Sequence, residues 1–257
     1  GGESNIWVRQ LFGGPMSKLT FEGKQNGRPL WTADGRSVTY TSDRGSNRDL
    51  YTQVADGSAP AVLLLDRTEE ILEAAWSRDG RWLVVRQNPM PNADLLALRP
   101  GLDTAPVPLV ATRFGERAPA FSPDGRWLAY VSDESGRIEV YVRPFPNAAQ
   151  AKWQVSLTGG SEPRWAHSGR EIFYRNATGS MVAAAVTTQP TLSIGHQTEL
   201  FQGSAFYQDD SHAEYDVAPD DQRFLMLRQH GGGERADFIL VENWFAELKA
   251  KAGKPSD

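Results

Sequence analysis

A short unit recurs along the whole chain, and its period constrains the fold more than any other feature of the sequence. A residue at the end of a tight turn marks the same point in five copies of the unit: Gly35, Gly80, Gly125, Gly169 and Asp221. An aromatic or aliphatic residue stands four positions earlier in each copy: Trp31, Trp76, Phe121, Trp165 and Val217. Successive copies are about 45 residues apart, with one longer step before the fifth, and a period of this length is typical of folds assembled from repeated small sheets.

The third copy shows what one unit contains. Its four strand-like runs are APAFS, RWLAYVSD, IEVYVRPF and KWQVSLT, between residues 118 and 158. The turn over residues 122–125 can join the first two runs, because proline presets φ, aspartate bonds its own backbone and glycine accepts a positive φ. Four antiparallel strands in about 45 residues form one blade of a β-propeller.

The repeats predict a single all-β propeller domain over residues 1–257. Blades are expected at about residues 28–66, 73–112, 118–158, 162–202 and 214–242, after a half-blade at 5–21 and before a short helix at 243–251. Five repeats and a half-blade predict six blades, or closure of the propeller by strand exchange. Because the half-blade lacks its first two strands, we also expect the chain to be part of a longer protein. Open sheet edges would let the chain pair with a second copy of itself.

Composition excludes several classes of partner. The net charge of −5 argues against nucleic-acid binding, which needs an excess of lysine and arginine to contact phosphates. The chain has no cysteine, so disulfides and thiolate metal sites are excluded. No run of about 18 apolar residues is present, so we expect no membrane contact by this segment.

Several stretches of the sequence resemble a known family. FSPDGRWLAYVSD (121–133) and APDDQRF (218–224) are similar to the WD40-like repeats of TolB-type propellers. EVYVRPFP (139–146), EPRW (162–165) and NWFAEL (243–248) resemble the C-terminal propeller of bacterial receptor-like serine/threonine kinases. The resemblance implies a non-enzymatic binding or sensor module that is extracytoplasmic, either periplasmic or at the cell surface. Kinase motifs themselves are absent from the sequence.

The copies differ in charge at one equivalent position, where the innermost strand of each blade begins. Seven residues before the turn marker stand Arg28, Glu73, Ala118, Glu162 and Glu214. Two residues further on, Arg164 and Asp216 have the same strand parity, so we expect them to point the same way. These residues predict an acidic, partly compensated channel mouth that binds a cation, a protein or a small-molecule ligand. The alternative is ordinary solvated charge, with arginine and glutamate paired between neighbouring blades.

The extra length of the fifth copy falls between residues 201 and 215, in the run FQGSAFYQDDSHAEY. This insertion carries Asp209, Asp210, His212 and Glu214. Carboxylates and an imidazole on one loop could bind Ca²⁺, or Zn²⁺ with help from other loops. The spacing matches no established motif, and a polar surface loop is the alternative interpretation.

No catalytic residue is indicated by a motif, since the sequence contains no Gly-x-Ser-x-Gly and no Ser-His-Asp set at a known spacing. A metal-dependent hydrolase, of esterase or phosphotriesterase type with a cation in the channel, is the alternative to a binding module. Fold alone does not choose between the two functions.

Overall fold

The computed structural model describes residues 2–9, 15–229 and 236–241, and these residues contain strands and turns but no helix. The chain divides into two compact units, Gly1–Phe114 and Gly115–Asp257, which are described separately. The predicted helix at 243–251 lies outside the described residues. Because the described part contains no helix, none there is long and apolar enough to cross a membrane.

The first unit contains a hairpin and two antiparallel sheets of four strands in chain order. The hairpin pairs β1 (Trp7–Arg9) with β2 (Met16–Lys18). The first sheet consists of β3 (Asn26–Trp31), β4 (Ser37–Ser42), β5 (Asp49–Val54) and β6 (Val62–Leu65). The second sheet consists of β7 (Ile71–Trp76), β8 (Leu83–Gln87), β9 (Asp94–Leu98) and β10 (Val107–Val110).

The second unit contains two further four-stranded sheets and one described as three-stranded. The four-stranded sheets are β11 (Arg117–Phe121), β12 (Trp127–Ser132), β13 (Glu139–Pro144) and β14 (Trp153–Gln154), then β15 (Gly160–Trp165), β16 (Glu171–Asn176), β17 (Met181–Thr187) and β18 (Ser193–Phe201). The last sheet is β19 (Tyr215–Val217), β20 (Phe224–Gln229) and β21 (Ala236–Val241). The repeated four-stranded antiparallel sheet confirms the predicted fold class, a β-propeller of four-stranded blades.

The recurring turn is scaffold, as its sequence predicts. In the third copy, Ser122 Oγ donates to Asp124 Oδ1 at 2.6 Å and accepts from the backbone N–H of Trp127 at 3.0 Å. Gly125 takes a positive φ of 68° and donates its N–H to the Ser122 carbonyl. The fourth copy has Ser168 in place of the aspartate, and Ser168 Oγ accepts the backbone N–H of Arg170 at 3.4 Å. Asp221 accepts the backbone N–H of Ser168 at 2.9 Å.

Three of the five apolar residues before the turns pack between neighbouring sheets, and one of them, Val217, is buried in a cluster with Phe173 and Met181 of the preceding sheet. Trp165 is buried in a cluster that contains residues of both β12 and β15, and the Trp76 indole donates to Thr39 Oγ1 of the preceding sheet at 3.0 Å. Trp31 differs, because its side chain is 54% exposed.

A β-bulge interrupts the innermost strand of each four-stranded sheet near its start. The register shifts between Gly27 and Leu30, and between Ser161 and Arg164, with equivalent shifts in β7 and β11. At the bulge, Arg28, Ala118 and Glu162 have φ values of 55°, 51° and 56°, a left-handed conformation that is rare for residues other than glycine. The bulge breaks the two-residue alternation, so the shared parity on which the predicted orientation of Arg164 depended does not hold in β15.

Candidate functional site

The insertion of the fifth copy folds back onto a single buried carboxylate on β15. Glu162 Oε1 accepts the backbone N–H of Asp209 at 3.1 Å, and Glu162 Oε2 accepts the backbone N–H of Glu214 at 2.9 Å. The Glu162 side chain has no solvent exposure. The two hydrogen bonds hold the loop at both ends of its acidic stretch, so Glu162 fixes the position of the backbone from Asp209 to Glu214.

Burial dominates the electrostatics of this glutamate. Desolvation raises the pKa of Glu162 to about 7, although the backbone N–H groups of Glu214 and Asp209 and the Arg175 guanidinium each favour the charged form. The nearest approach of the two charged side chains is 3.8 Å, between Arg175 Nε and Glu162 Oε1. The site therefore contains a carboxyl group that changes protonation near neutral pH.

Arg175, on β16, is the functional-site residue that the sequence analysis missed. Its side chain is 1% exposed, and its guanidinium donates to the carbonyls of Gly179, Gly203 and Tyr207 at 3.2, 3.2 and 3.3 Å. It also lies over the Tyr215 ring, at 5.9 Å from the ring centroid. Arg175 therefore links the insertion to the β15–β18 sheet through its carbonyl groups, and Glu162 links it to the same sheet through its backbone N–H groups.

The sequence contains a pattern that marks the pair of Glu162 and Arg175. Glutamate seven positions before the turn marker occurs with arginine six positions after it in two copies, as Glu73 with Arg86 and as Glu162 with Arg175. In the first unit, Arg86 Nε lies 3.9 Å from Glu73 Oε2, and both side chains are largely buried. Glu214 occupies the same position in the fifth copy, but Leu227 replaces the arginine. Two of the three glutamates predicted for the channel mouth are thus engaged by an arginine of their own sheet.

Glu214 instead belongs to a cluster with Asp209 and His212. His212 Nε2 is hydrogen-bonded to Glu214 Oε1 and lies 3.5 Å from Asp209 Oδ2. One ligand atom from each of the three residues lies within 4.8 Å of the others. His212 is only 3% exposed, and its Nδ1 is buried without a hydrogen-bond partner in the described part of the chain.

The structure separates the two neighbouring aspartates that the sequence placed together. Asp209 Oδ1 accepts the backbone N–H of Ser211 at 2.6 Å, and its Oδ2 is the atom that faces His212. Asp210 is exposed and is not part of the cluster, and its contribution is a backbone carbonyl that accepts Arg117 Nε at 2.8 Å. The cluster therefore contains three of the four predicted ligands.

The other predicted residues are distributed over both units. Arg28 and Glu73 belong to the first unit and are half-buried. Arg164 is half-buried in β15, and its Nε has no hydrogen-bond partner among the described residues. Asp216, in β19, is exposed.

The donors of the cluster are those of a divalent-cation site. Imidazole nitrogen favours Zn²⁺ and similar metals, whereas carboxylate oxygens also suit Mn²⁺ and Ca²⁺. In the structure His212 Nε2 is hydrogen-bonded to Glu214 Oε1, so a cation held by both atoms requires this hydrogen bond to open. Three protein ligands leave coordination positions for water or a bound ligand.

Comparison with solved structures identifies the class of fold. The chain has the fold of TolB-type β-propellers: it resembles TolB from Acinetobacter baumannii, with a TM-score of 0.69 at 15% identity over 93% of this chain and 57% of that one. A putative TolB from Agrobacterium tumefaciens gives 0.68 at 14% identity over 90% and 81% of the two chains. An oligogalacturonate lyase described in complex with manganese gives 0.57 at 12% identity over 88% and 79%.

Comparison of sequences gives a curated relative that matches about half of this chain. No protein-family model matches the chain. The uncharacterized peptidase YuxL of Bacillus subtilis is 27% identical over 181 residues, which is 54% of this chain and 27% of that protein. The chain therefore spans about a quarter of the length of this curated relative.

Proposed function

We propose that the chain is a non-catalytic, extracytoplasmic binding module whose ligand site contains a divalent cation held by Asp209, His212 and Glu214. The observation that carries this function is the convergence of the three ligand atoms within 4.8 Å of one another on one loop. The extracytoplasmic placement is supported by the resemblance of the repeats to TolB-type propellers. A larger receptor-like protein is the setting supported by the stretches that resemble the C-terminal propeller of receptor-like serine/threonine kinases.

The mode of binding follows from the geometry of the loop. Glu162 and Arg175 fix its backbone, so the three ligands are positioned before a cation arrives and little ordering entropy is lost on binding. Because the protein supplies three ligands, the bound cation retains open positions. A carboxylate from a protein or small-molecule partner would fill them, which makes the cation a bridge between this acidic chain and an acidic ligand.

Cation binding is tested by titration calorimetry of chelator-treated protein with Zn²⁺, Mn²⁺ and Ca²⁺. We expect one site per chain, lost in His212→Ala and in Asp209→Ala. Asp210→Ala is the matched control, since it removes the adjacent exposed carboxylate and should leave the affinity unchanged. Equal binding by wild type and His212→Ala would show that the cluster is not the site.

A metal-dependent hydrolase is the second candidate, because open positions on a three-ligand cation also allow a metal-bound water to act as nucleophile. The relative from Bacillus subtilis carries the name of a peptidase, which adds peptides to the substrates to be tested. Cation-loaded protein should be screened with carboxylic esters, phosphotriesters and peptides, with and without chelator. Chelator-sensitive turnover that is lost in His212→Ala would show that the chain is a metal-dependent hydrolase and not a non-catalytic binding module.

A further inference from the structure

A separate pocket of about 240 Å³ lies in the second unit beside the start of the insertion. Its walls come from two segments of the chain, and its lining residues are Thr178, Gly179, Ser204, Phe206, Tyr207 and Gln208. We call it the Tyr207 pocket. It contains none of the three cation ligands, so it goes beyond the site already described.

Both walls of the Tyr207 pocket are held by the same buried side chain. The Arg175 guanidinium donates to the carbonyl of Gly179 on one wall and to the carbonyl of Tyr207 on the other. A third bond goes to the carbonyl of Gly203, where an added Cβ would lie only 2.0 Å from Arg175 Nη1. The guanidinium therefore fixes the distance between the walls.

The second wall is also fixed to the last sheet. The backbone N–H of Tyr207 donates to the Leu227 carbonyl at 2.8 Å, and Phe206 forms a bridge with Arg228 of β20. The Phe206 ring meets Phe201 edge-on, with centroids 6.3 Å apart. A pocket whose walls are tied in this way is preformed, and a ligand loses little affinity to ordering of the site.

The lining defines the chemistry of an occupant. None of the six residues is charged, so the pocket offers no counter-ion to a charged ligand. Ser204 and Gln208 make no side-chain hydrogen bonds within the described residues, which leaves a hydroxyl and an amide to face a ligand. Phe206 and Tyr207 add aromatic faces, which are electron-rich and attract weakly positive C–H groups.

From these properties we propose that the Tyr207 pocket binds a neutral, hydroxyl-rich six-membered ring, that is, a monosaccharide or one terminal residue of a glycan. Hydroxyl groups satisfy the serine and amide, and the C–H face of the ring lies on the aromatic side chains. The volume is below the roughly 300 Å³ at which sites for drug-sized ligands begin, so a single ring is the size that fits.

Ligand-observed saturation-transfer NMR tests the pocket with D-glucose, D-galactose and N-acetyl-D-glucosamine, and titration calorimetry gives the affinities. We expect Tyr207→Ala to weaken binding by about 3- to 10-fold and Gln208→Ala by about 5-fold. Phe21→Ala is the matched control, because this aromatic in the first unit is 78% exposed and lines no part of the pocket. D-glucuronate should bind more weakly than D-glucose.

The measurements are repeated after chelator treatment and in Asp209→Ala, where sugar binding should persist, so failure of the cation site and failure of the pocket give different results. The proposal is overturned if none of the three sugars gives a signal, or if Tyr207→Ala keeps the wild-type affinity. Tighter binding of D-glucuronate than of D-glucose would also overturn it, since the pocket would then favour a charged ligand.

Discussion

Arg175 and Glu162 form a buried pair in which the arginine donates to two carbonyls of the insertion, those of Gly203 and Tyr207, and the glutamate accepts two of its backbone N–H groups. The loop therefore has a cationic partner for its acceptors and an anionic partner for its donors. Glu73 and Arg86 repeat the pair in the first unit at nearly the same separation, 3.9 Å against 3.8 Å. A substitution in the Glu162–Arg175 pair can therefore be compared with the equivalent substitution in the Glu73–Arg86 pair.

Glu162→Gln should weaken cation binding without touching a cation ligand. The amide cannot accept two N–H groups with both of its polar atoms, so one end of the loop is released. Loss of a group that positions metal ligands typically reduces metal affinity by about 10- to 100-fold, and we expect a loss of this size by titration calorimetry. Glu73→Gln is the control and should leave cation affinity at the wild-type value. Equal losses in both variants would contradict a specific role of Glu162 in the loop.

The stability of the metal-free protein should fall as the pH rises from about 4.5 to about 7. Glu162 has a pKa of about 7 in the folded chain and an ordinary value of 4.5 when exposed, so the folded state binds the proton more tightly in this window. Stability from this group is complete below pH 4.5 and is lost as the pH rises through 7, by up to about 3 kcal/mol. Denaturant unfolding at several pH values measures the loss. Glu162→Gln should remove this part of the pH dependence, and an unchanged profile in the variant would contradict the assignment.

Arg175→Met should destabilise the second unit strongly. The substitution leaves the buried Glu162 without its counter-charge and removes the guanidinium that donates to the carbonyls of Gly179, Gly203 and Tyr207. Removal of one partner from a buried ion pair costs about 3–5 kcal/mol, and we expect a loss of that order in denaturant unfolding. Arg170→Met changes an exposed arginine close by in the sequence and should have an effect of at most about 0.5 kcal/mol.

Gly203→Ala tests the close approach beneath the Tyr207 pocket. The added Cβ would lie 2.0 Å from Arg175 Nη1 and 2.2 Å from the Gly179 carbonyl oxygen, so the guanidinium or the loop must move. Overpacking of this kind costs about 1–3 kcal/mol. Gly27→Ala is the control, because the atom nearest to its Cβ is 4.0 Å away. Equal thermal midpoints of Gly203→Ala and Gly27→Ala would contradict the close packing around Arg175.

The blades could be predicted from the sequence because turn chemistry and strand alternation are local. Gly125 takes the positive φ that its turn requires, and Asp221 takes a φ of 57° at the equivalent point of the fifth copy. The bulge at Glu162 could not be predicted, since it depends on pairing between strands and no local signal distinguishes a glutamate in the left-handed conformation. The same register shift lies between Ser161 and Arg164, so strand parity alone does not fix the direction of the Arg164 side chain.

The candidate site could be predicted only in part, because its order comes from contacts distant in sequence. The insertion and its acidic and imidazole groups are visible as a departure from the repeat. The choice of Asp209 over Asp210 depends on the two backbone bonds to Glu162, which lies 47 residues before Asp209. The role of Arg175 is not visible locally either, because its acceptors Gly203 and Tyr207 lie 28 and 32 residues away in the sequence.

The left-handed bulge at Arg28, Ala118 and Glu162 holds residues of opposite charge and of no charge in the same backbone geometry. The strand beside it keeps its pairing whichever side chain is present, because the bulged residue stands outside the regular ladder. Three of the sheets thus accept an arginine, an alanine or a glutamate at the same backbone position. The recognition properties of such a protein can be rewritten one blade at a time, while the sheets that carry these positions remain unaltered.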